Sequence, residues 1–426
     1  MMNMNQHVLR RLAGLTLRRK STSSSVKEKG GVSPFVKIVG SAALMGAAVF
    51  WGTGGRAGKP YSFCGDRAVS LLRLLDPETA HKVTVMALKY GFGPIDSTRT
   101  DVLSVRLWGR TFRNCVGMAA GFDKQGEVMD PLLKLGFGFV EIGGVTPLPQ
   151  DGNPKPRMFR LPEDRALINR FGLNSEGADV VSKRLESWRN KKQCKDKIVG
   201  VNMAKTTGSP SALTDYCTGA KRFGASADFV VLNFSCPNVK WTKNLGKGSS
   251  GSEESIRNII RAVQKELKQI EQEGREPASL LIKLGPDMTM KEKEEMANVA
   301  LETGVHGLIV SNTSSRRPSV LKCSSKTEKG GLSGRPIRDM ANQTLRDVYR
   351  MTRGKIPIVG CGGISNADDA YERIRSGASL IQLYTALVYE GPSLIPRIKK
   401  GLEERLRRDG FKCIEDAVGV DVILKE

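Results

Sequence analysis

The chain has 426 residues, 39% hydrophobic and 6% aromatic, with 67 Lys and Arg against 44 Asp and Glu, a net charge of +23. This composition admits a globular core. Three His and eight Cys without a CxxC pair give no support to a His-centred triad or to a zinc or iron–sulfur site. The scattered cysteines point to free thiols in a reducing compartment. The basic excess lies on the N-terminus and on predicted helices, for example Lys183, Arg184, Arg407 and Arg408. No stripe of interleaved aromatics accompanies it, so no nucleic-acid partner is expected.

Residues 1–27 carry Arg10, Arg11, Arg18, Arg19, Lys20 and Lys27 with no acid, and Ser21, Ser23, Ser24 and Ser25 are interspersed. An Arg- and Ser-rich, acid-poor start reads as a mitochondrial transit segment, placed at 1–34. Ile38 to Gly55 contains no charge and is flanked by Lys37 and Arg56. Residues 35–55 are therefore expected to form a single N-terminal transmembrane anchor, near the short limit of ~17–20 residues for a span. The two features together predict a protein held in the mitochondrial inner membrane. Residues 62–100 follow as two amphipathic helices, Asp66 to Leu75 and Glu78 to Tyr90, separated by Asp76-Pro77. Beside an anchor, such a pair would lie at the lipid surface and admit an apolar substrate.

From residue 105 to 426 the chain alternates buried β-like runs with helical periodicity. Strands are predicted at Asn114–Ala119, Phe139–Gly143, Lys197–Val201, Phe229–Leu232, Leu280–Lys283, Gly307–Val310, Ile356–Val359 and Leu380–Leu383. Helices are predicted at Glu127–Leu135, Gly177–Trp188, Glu254–Gln272, Lys291–Glu302, Ile337–Arg353, Ala367–Arg375 and Ser393–Arg408. Eight such units indicate an α/β fold, a (β/α)8 TIM barrel. An open doubly wound sheet is the other arrangement of this alternation, but no GxGxxG follows the first strand.

In a barrel the C-terminal strand ends hold the chemistry. Here they read AAGFDK after the first strand, GGVTP after the second and NMAK after the third. The fourth is NFSCPN, Asn233 to Asn238, two carboxamides and a thiol where a buried strand ends. The remaining ends offer Lys283, Ser311-Asn312-Thr313, Gly362-Gly363 and Tyr384-Thr385. Gly, Asn, Thr and isolated Lys with few acids suit an anionic, polar, closely held ligand. Barrels bind phosphate after strands seven and eight. Gly362-Gly363 and Tyr384-Thr385 fit that use, with Gly334 nearby in order. Flavin mononucleotide (FMN) suits a barrel without a dinucleotide fold, and Lys283 could neutralise a reduced flavin. Residues 157–174 read as a loop over the barrel mouth, with Asn169 and Asn174 flanking an Arg-Phe-Gly turn.

At this point AAGFDK, EIGGVTP (141–147), NPKPRMFRLPED (153–164), NRFGLNS (169–175), NFSCPN, SNTS (311–314), GGLSGRP (330–336), GCGGIS (360–365) and QLYTAL (382–387) stand in one order. The set resembles dihydroorotate dehydrogenase over roughly residues 62–420. The transit-like segment, anchor and helical pair are similar to the membrane-associated class 2, which in eukaryotes passes electrons to ubiquinone in mitochondria. The resemblance implies an FMN enzyme that oxidises dihydroorotate to orotate in pyrimidine synthesis, expected to be monomeric. It implies that Cys236 removes a proton from C5 while hydride leaves C6 for flavin N5. Lys124, Asn169, Arg170, Phe171, Gly172, Leu173, Asn233, Asn238, Asn312 and Thr313 would bind substrate. Ala119, Ala120, Gly121, Gly144, Asn202, Asn233, Lys283, Ser311, Gly334, Gly363, Tyr384 and Thr385 would bind the flavin. His81, Arg160 and Tyr384 match the family's positions around the quinone tunnel.

Three positions depart from the family pattern. The base of class 2 is typically Ser and here is Cys236, as in the soluble class 1. Gly144 replaces the usual hydroxyl residue, and Ala204 stands where Gly is frequent. Two other functions fit a flavin or phosphate barrel. An RNA dihydrouridine synthase would use the positive charge, but Lys124 and the several Asn argue against it. A non-catalytic phosphate-binding barrel would have no use for a base candidate beside the flavin.

Overall fold

The computed structural model describes residues 62–96, 98, 100–234 and 250–423. It opens on two helices, α1 (Ser62–Leu72) and α2 (Pro77–Lys89). Asp76 starts α2 by accepting from the Thr79 backbone N–H at 3.0 Å, and Pro77 occupies the first turn, where no N–H is needed. A hairpin follows, β1 (Val105–Leu107) and β2 (Arg110–Phe112). The barrel then begins with β3 (Val116–Met118), helix α3 (Met129–Lys134) and β4 (Phe139–Val145). Strands β5 (Met158–Leu161) and β6 (Ala166–Asn169) leave the barrel. It resumes with α4 (Ala178–Arg189), β7 (Ile198–Met203), α5 (Ala212–Phe223), β8 (Phe229–Asn233), α6 (Ser250–Gln272) and β9 (Ser279–Leu284). Next come α7 (Met290–Thr303), β10 (Gly307–Val310), β11 (Gly331–Gly334), α8 (Arg338–Met351) and β12 (Ile358–Cys361). The chain closes with α9 (Ala367–Arg375), β13 (Ala378–Leu383), α10 (Thr385–Glu390) and α11 (Leu394–Asp409).

Strands β3, β4, β7, β8, β9, β10, β12 and β13 form a closed barrel, each parallel to its neighbours. This is the (β/α)8 arrangement that the alternation predicted. Every residue of β8 and β9 is buried, which is why these runs are almost continuously apolar. The β1–β2 hairpin plugs one end. Trp108 and Phe112 pack on Phe139 and Phe229, with ring centroids 5.4–5.8 Å apart in three of the pairs. The neighbouring strands make room with glycine: a Cβ at Gly117 or Gly200 would fall inside the rings of Phe139 and Phe229. Phe139 and Phe229 are first residues of their strands, so the plug marks the N-terminal end. The C-terminal ends open on the other face.

Two parts of the fold differ from the sequence expectation. Residues 157–174 are not a loop. β5 and β6 pair antiparallel, and β11 adds to β6 from more than 160 residues away, giving a small sheet over the barrel mouth. Helix α5 was not foreseen; Ser211 caps it by accepting from the Thr214 N–H, and it buries Tyr216, Ala220 and Phe223. Among the described residues no helix is long and apolar enough to cross a membrane. The transit-like segment 1–34 and the expected anchor 35–55 lie outside the described residues.

Candidate active site

A fully buried carboxylate, Glu141 inside β4, lies beneath the barrel mouth. It accepts from Asn202 Nδ2 and from Gln382 Nε2, both at 2.6 Å, and Lys283 Nζ lies 3.6 Å away. The chain of carboxamides continues upward. Asn233 Nδ2 donates to Asn202 Oδ1 at 3.0 Å, and Asn312 Nδ2 donates to Asn233 Oδ1 at 3.2 Å. Asn312 Oδ1 in turn accepts from the Thr313 backbone N–H at 2.8 Å. Tyr216, from the unforeseen α5, holds β8 in place by donating to the Asn233 carbonyl at 2.9 Å.

The carboxamides of this chain, with Lys283 and Thr313 but not Glu141 or Tyr216, line one cavity at the C-terminal strand ends. Its floor and walls include Asn202, Asn233, Lys283, Ser311, Asn312 and Thr313. Ala119, Ala120, Gly121 and Lys124 enter from the turn after β3, and Gly144 from β4. That turn is fixed from below by Asp123, whose carboxylate accepts from the Glu127 and Val128 N–H groups at 2.8 Å. Burial pushes the Asp123 carboxyl up to about 6, against the pull of those two hydrogen bonds. Lys124 Nζ sits 4.5 Å from the centre of the Phe171 ring. Asn169, Phe171, Gly172 and Leu173 close the mouth from the small sheet, and Gly334, Gly363, Tyr384 and Thr385 line the far end. Gly363 has φ +78°, and a Cβ there would strike the Arg338 backbone, so this turn excludes side chains.

A second cavity, almost wholly apolar, lies between the helical pair and the barrel. Val69, Leu72, Val83 and Phe122 line it with His81 and Arg160. Tyr384 and Met158 belong to both cavities and so form the partition. Burial, reinforced by the charge of Lys124, lowers the His81 imidazole to about 4. It is therefore neutral at physiological pH. Burial also lowers the Arg160 guanidinium, which donates to the Leu75, Arg73 and Leu72 carbonyls at 2.7, 3.0 and 3.4 Å.

Residues 102–406 match the family described as Dihydroorotate dehydrogenase. The chain belongs to that family. It is 46% identical over 357 residues to "Dihydroorotate dehydrogenase (quinone), mitochondrial" of Mus musculus, covering 83% of this chain and 88% of the relative. It is 43% identical over 408 residues to the protein of that name from Oryza sativa subsp. japonica, covering 89% and 86%. Among solved structures, a crystal structure of DHODH in complex with ferulenol from Eimeria tenella superposes with a TM-score of 0.77. It is 42% identical, covering 81% of this chain and 96% of the other.

Dihydroorotate dehydrogenases are flavin enzymes in general, and the cavity fits such a group. Among the described residues the buried Gln382 Oε1 has no partner, and Asn202, Lys283, Gly363 and Gln382 all line the cavity. Arg170 departs from the expected substrate set. It does not line the cavity: its guanidinium pairs with Glu328 at 2.6 Å and stacks on Phe159 at 4.5 Å, because residue 170 follows the last β6 residue on the outer side of the small sheet. Cys236 and Asn238 lie outside the described residues. Sequence reasoning missed Glu141 and Gln382. Their signal was present: each is a polar side chain interrupting an apolar strand run, in FVEIG and SLIQL.

Proposed function

We propose that this chain oxidises (S)-dihydroorotate to orotate with FMN, passing two electrons to ubiquinone. The observation that supports this reading best is the pair of cavities sharing Tyr384 and Met158, one polar and amide-lined, one apolar. A polar substrate and an apolar acceptor would thus have separate cavities that meet at Tyr384 and Met158.

In the polar cavity, Lys124 binds the substrate carboxylate as a charge-assisted partner. Asn169, Asn233, Asn312 and Thr313, with Asn238 from the sequence, pair with the ring amides. Cys236 takes the C5 proton as the C6–H bond gives up its hydride. When bound, FMN supplies the acceptor for that hydride and carries the electron pair on to quinone. Ala119, Ala120, Gly121, Gly144, Asn202, Lys283, Ser311, Gly334, Gly363, Tyr384 and Thr385 would hold it, with the Lys283 ammonium as the cation of that set. His81, neutral at physiological pH, presents no fixed charge to an apolar quinone in the second cavity. Residues 1–34 address the chain to mitochondria and 35–55 anchor it in the inner membrane, which keeps the helical pair beside the quinone pool.

The test is anaerobic. The purified protein should be yellow, dihydroorotate should bleach its flavin, and a quinone should restore the colour. A flavin spectrum indifferent to dihydroorotate would remove the proposal.

A further inference from the structure

A third cavity adjoins the polar one. The two share Arg165, Arg335, Ser365 and Glu390, which therefore form the boundary. Arg338, Asp369 and Arg397 line the outer cavity alone. Four arginines against two acids leave it a net charge of +2. Both acids are already committed. Asp369 pairs with Arg338 at 3.3 Å, and Glu390 pairs with Arg397 at 2.8 Å and with Arg165. Arg335 is left over: among the described residues its exposed guanidinium has no ion-pair or hydrogen-bond partner.

Sheet register creates this excess. β11 pairs antiparallel with β6, Gly334 opposite Ala166, and the Arg335 N–H donates to the Arg165 carbonyl at 3.3 Å. Two arginines are thus set opposite each other, an arrangement that repels unless an anion lies between them. Glu390 reaches only one of the two. Gly334 directly precedes Arg335, and Gly363 lies against the Arg338 backbone. The outer cavity therefore opens beside the glycines expected to hold the phosphate of the flavin nucleotide.

We infer that the outer cavity is a capture site for a phosphate monoester, and that this monoester is the phosphate of the flavin nucleotide on its way into the barrel. The inference rests on the proposed function for its flavin, while the anion site itself does not. A phosphate monoester carries about −1.5 to −2 charge at neutral pH, which matches the excess. Guanidinium forks suit its oxygens. Arg335 is the uncommitted cation that receives the phosphate. Glu390 is the internal anion that competes with it for Arg165.

Two substitutions of opposite charge test this on the intact, flavin-loaded protein. Dilution releases FMN, and the fluorescence of free flavin gives the dissociation rate and the Kd, whose ratio is the association rate. Arg335→Gln should slow association about tenfold at low salt, the lower end of electrostatic steering, and Glu390→Gln should speed it several-fold. Both differences should shrink at about 1 M salt, where the Debye length is about 3 Å. Arg407→Gln, the same charge change in the last turn of α11, should leave the rate within about twofold. Damage to the fold would instead move the two test variants in the same direction at every salt concentration. That result, or equal association rates in all four proteins, would overturn the inference. The phosphorus resonance of inorganic phosphate separates a free anion from the cofactor's own. Broadening by the flavin-loaded chain, with equal association rates throughout, would assign the cavity to free phosphate and overturn the capture role. If the purified chain carries no flavin, the proposed function fails. Broadening by the unaltered chain but not by Arg335→Gln would then still support the anion site, and equal behaviour of the two would overturn it.

Discussion

His81 meets Phe122 edge to face, with ring centroids 5.1 Å apart, and Phe122 meets Tyr384 in the same way at 6.2 Å. This aromatic row runs from the apolar cavity to the partition of the polar one. It places an ionisable ring where a charge is poorly solvated. Burial, and then the charge of Lys124, lower His81 from 6.5 to about 4. In the unfolded chain the imidazole protonates near 6.5, whereas the folded protein resists protonation until about 4. The unfolded state therefore binds more protons across that window, and stability falls as pH falls through it. The urea midpoint should drop between pH 7 and pH 4.5 by less in His81→Gln than in the unaltered protein. Equal drops would place the acid sensitivity elsewhere.

Arg160 offers a second test of the same region. Its guanidinium gathers three carbonyls at the end of α1, so it fastens the helical pair to β5 as well as lining the cavity. Arg160→Met keeps much of the apolar stem and leaves those carbonyls without their partner, a cost of about 1–3 kcal/mol if they remain buried. The loss should fall on the quinone half-reaction. KM for quinone should rise several-fold, while the rate at which dihydroorotate reduces the flavin stays within about twofold, since the polar cavity is untouched. A slowed reductive half-reaction in rapid mixing would show that Arg160 reaches further than its contacts suggest.

The barrel was legible because parallel strands buried on both faces must be apolar throughout, and Phe229 to Leu232 or Leu280 to Ile282 can scarcely be read otherwise. Most cavity residues were legible for the complementary reason, that Gly, Asn and Lys at strand ends are costly ornaments unless a ligand uses them. The small sheet was not, because β6 pairs with β11 across the sequence and four-residue runs carry little periodicity. Helix α5 escaped although Tyr216, Ala220 and Phe223 recur at helical spacing; its buried face also carries Asp215 and Gly219. The Arg170 side chain turns to Glu328 and Phe159 rather than to the cavity, since successive residues of an extended segment face opposite sides. Glu141 was hidden by the general rule that acids do not belong in buried strands.

The aromatic plug gives a prediction about stability alone. Gly200 lies in β7 against the Phe229 ring, where a Cβ has no space. Both residues are in the packed core, so relief requires a shifted backbone or a strained rotamer. Gly200→Ala should destabilise by about 1–3 kcal/mol, the usual cost of overpacking, despite alanine's better backbone propensity. Adding Phe229→Leu removes the clashing edge and should return part of that loss. Thermal unfolding of the two variants checks it. A paired variant less stable than Gly200→Ala by the full cost of a truncated Phe would mean that the ring was never the obstacle.

Cys236 is the base of the proposed reaction, and that assignment can be tested. A base acts in its deprotonated form, so the rate should climb with pH until that form dominates. A thiol titrates near ~8.5 when unperturbed. A serine hydroxyl lies far higher and depends on neighbouring groups to lose its proton within the working range. Cys236→Ser should keep measurable activity, since a hydroxyl is close in size to a thiol and can also accept the proton. The rising limb of its kcat/KM profile should move toward alkaline pH, with flavin content and orotate binding close to those of the unaltered chain. Those two controls separate a change of base from a damaged site. If the limb stays where it was, the proton leaves C5 by another route.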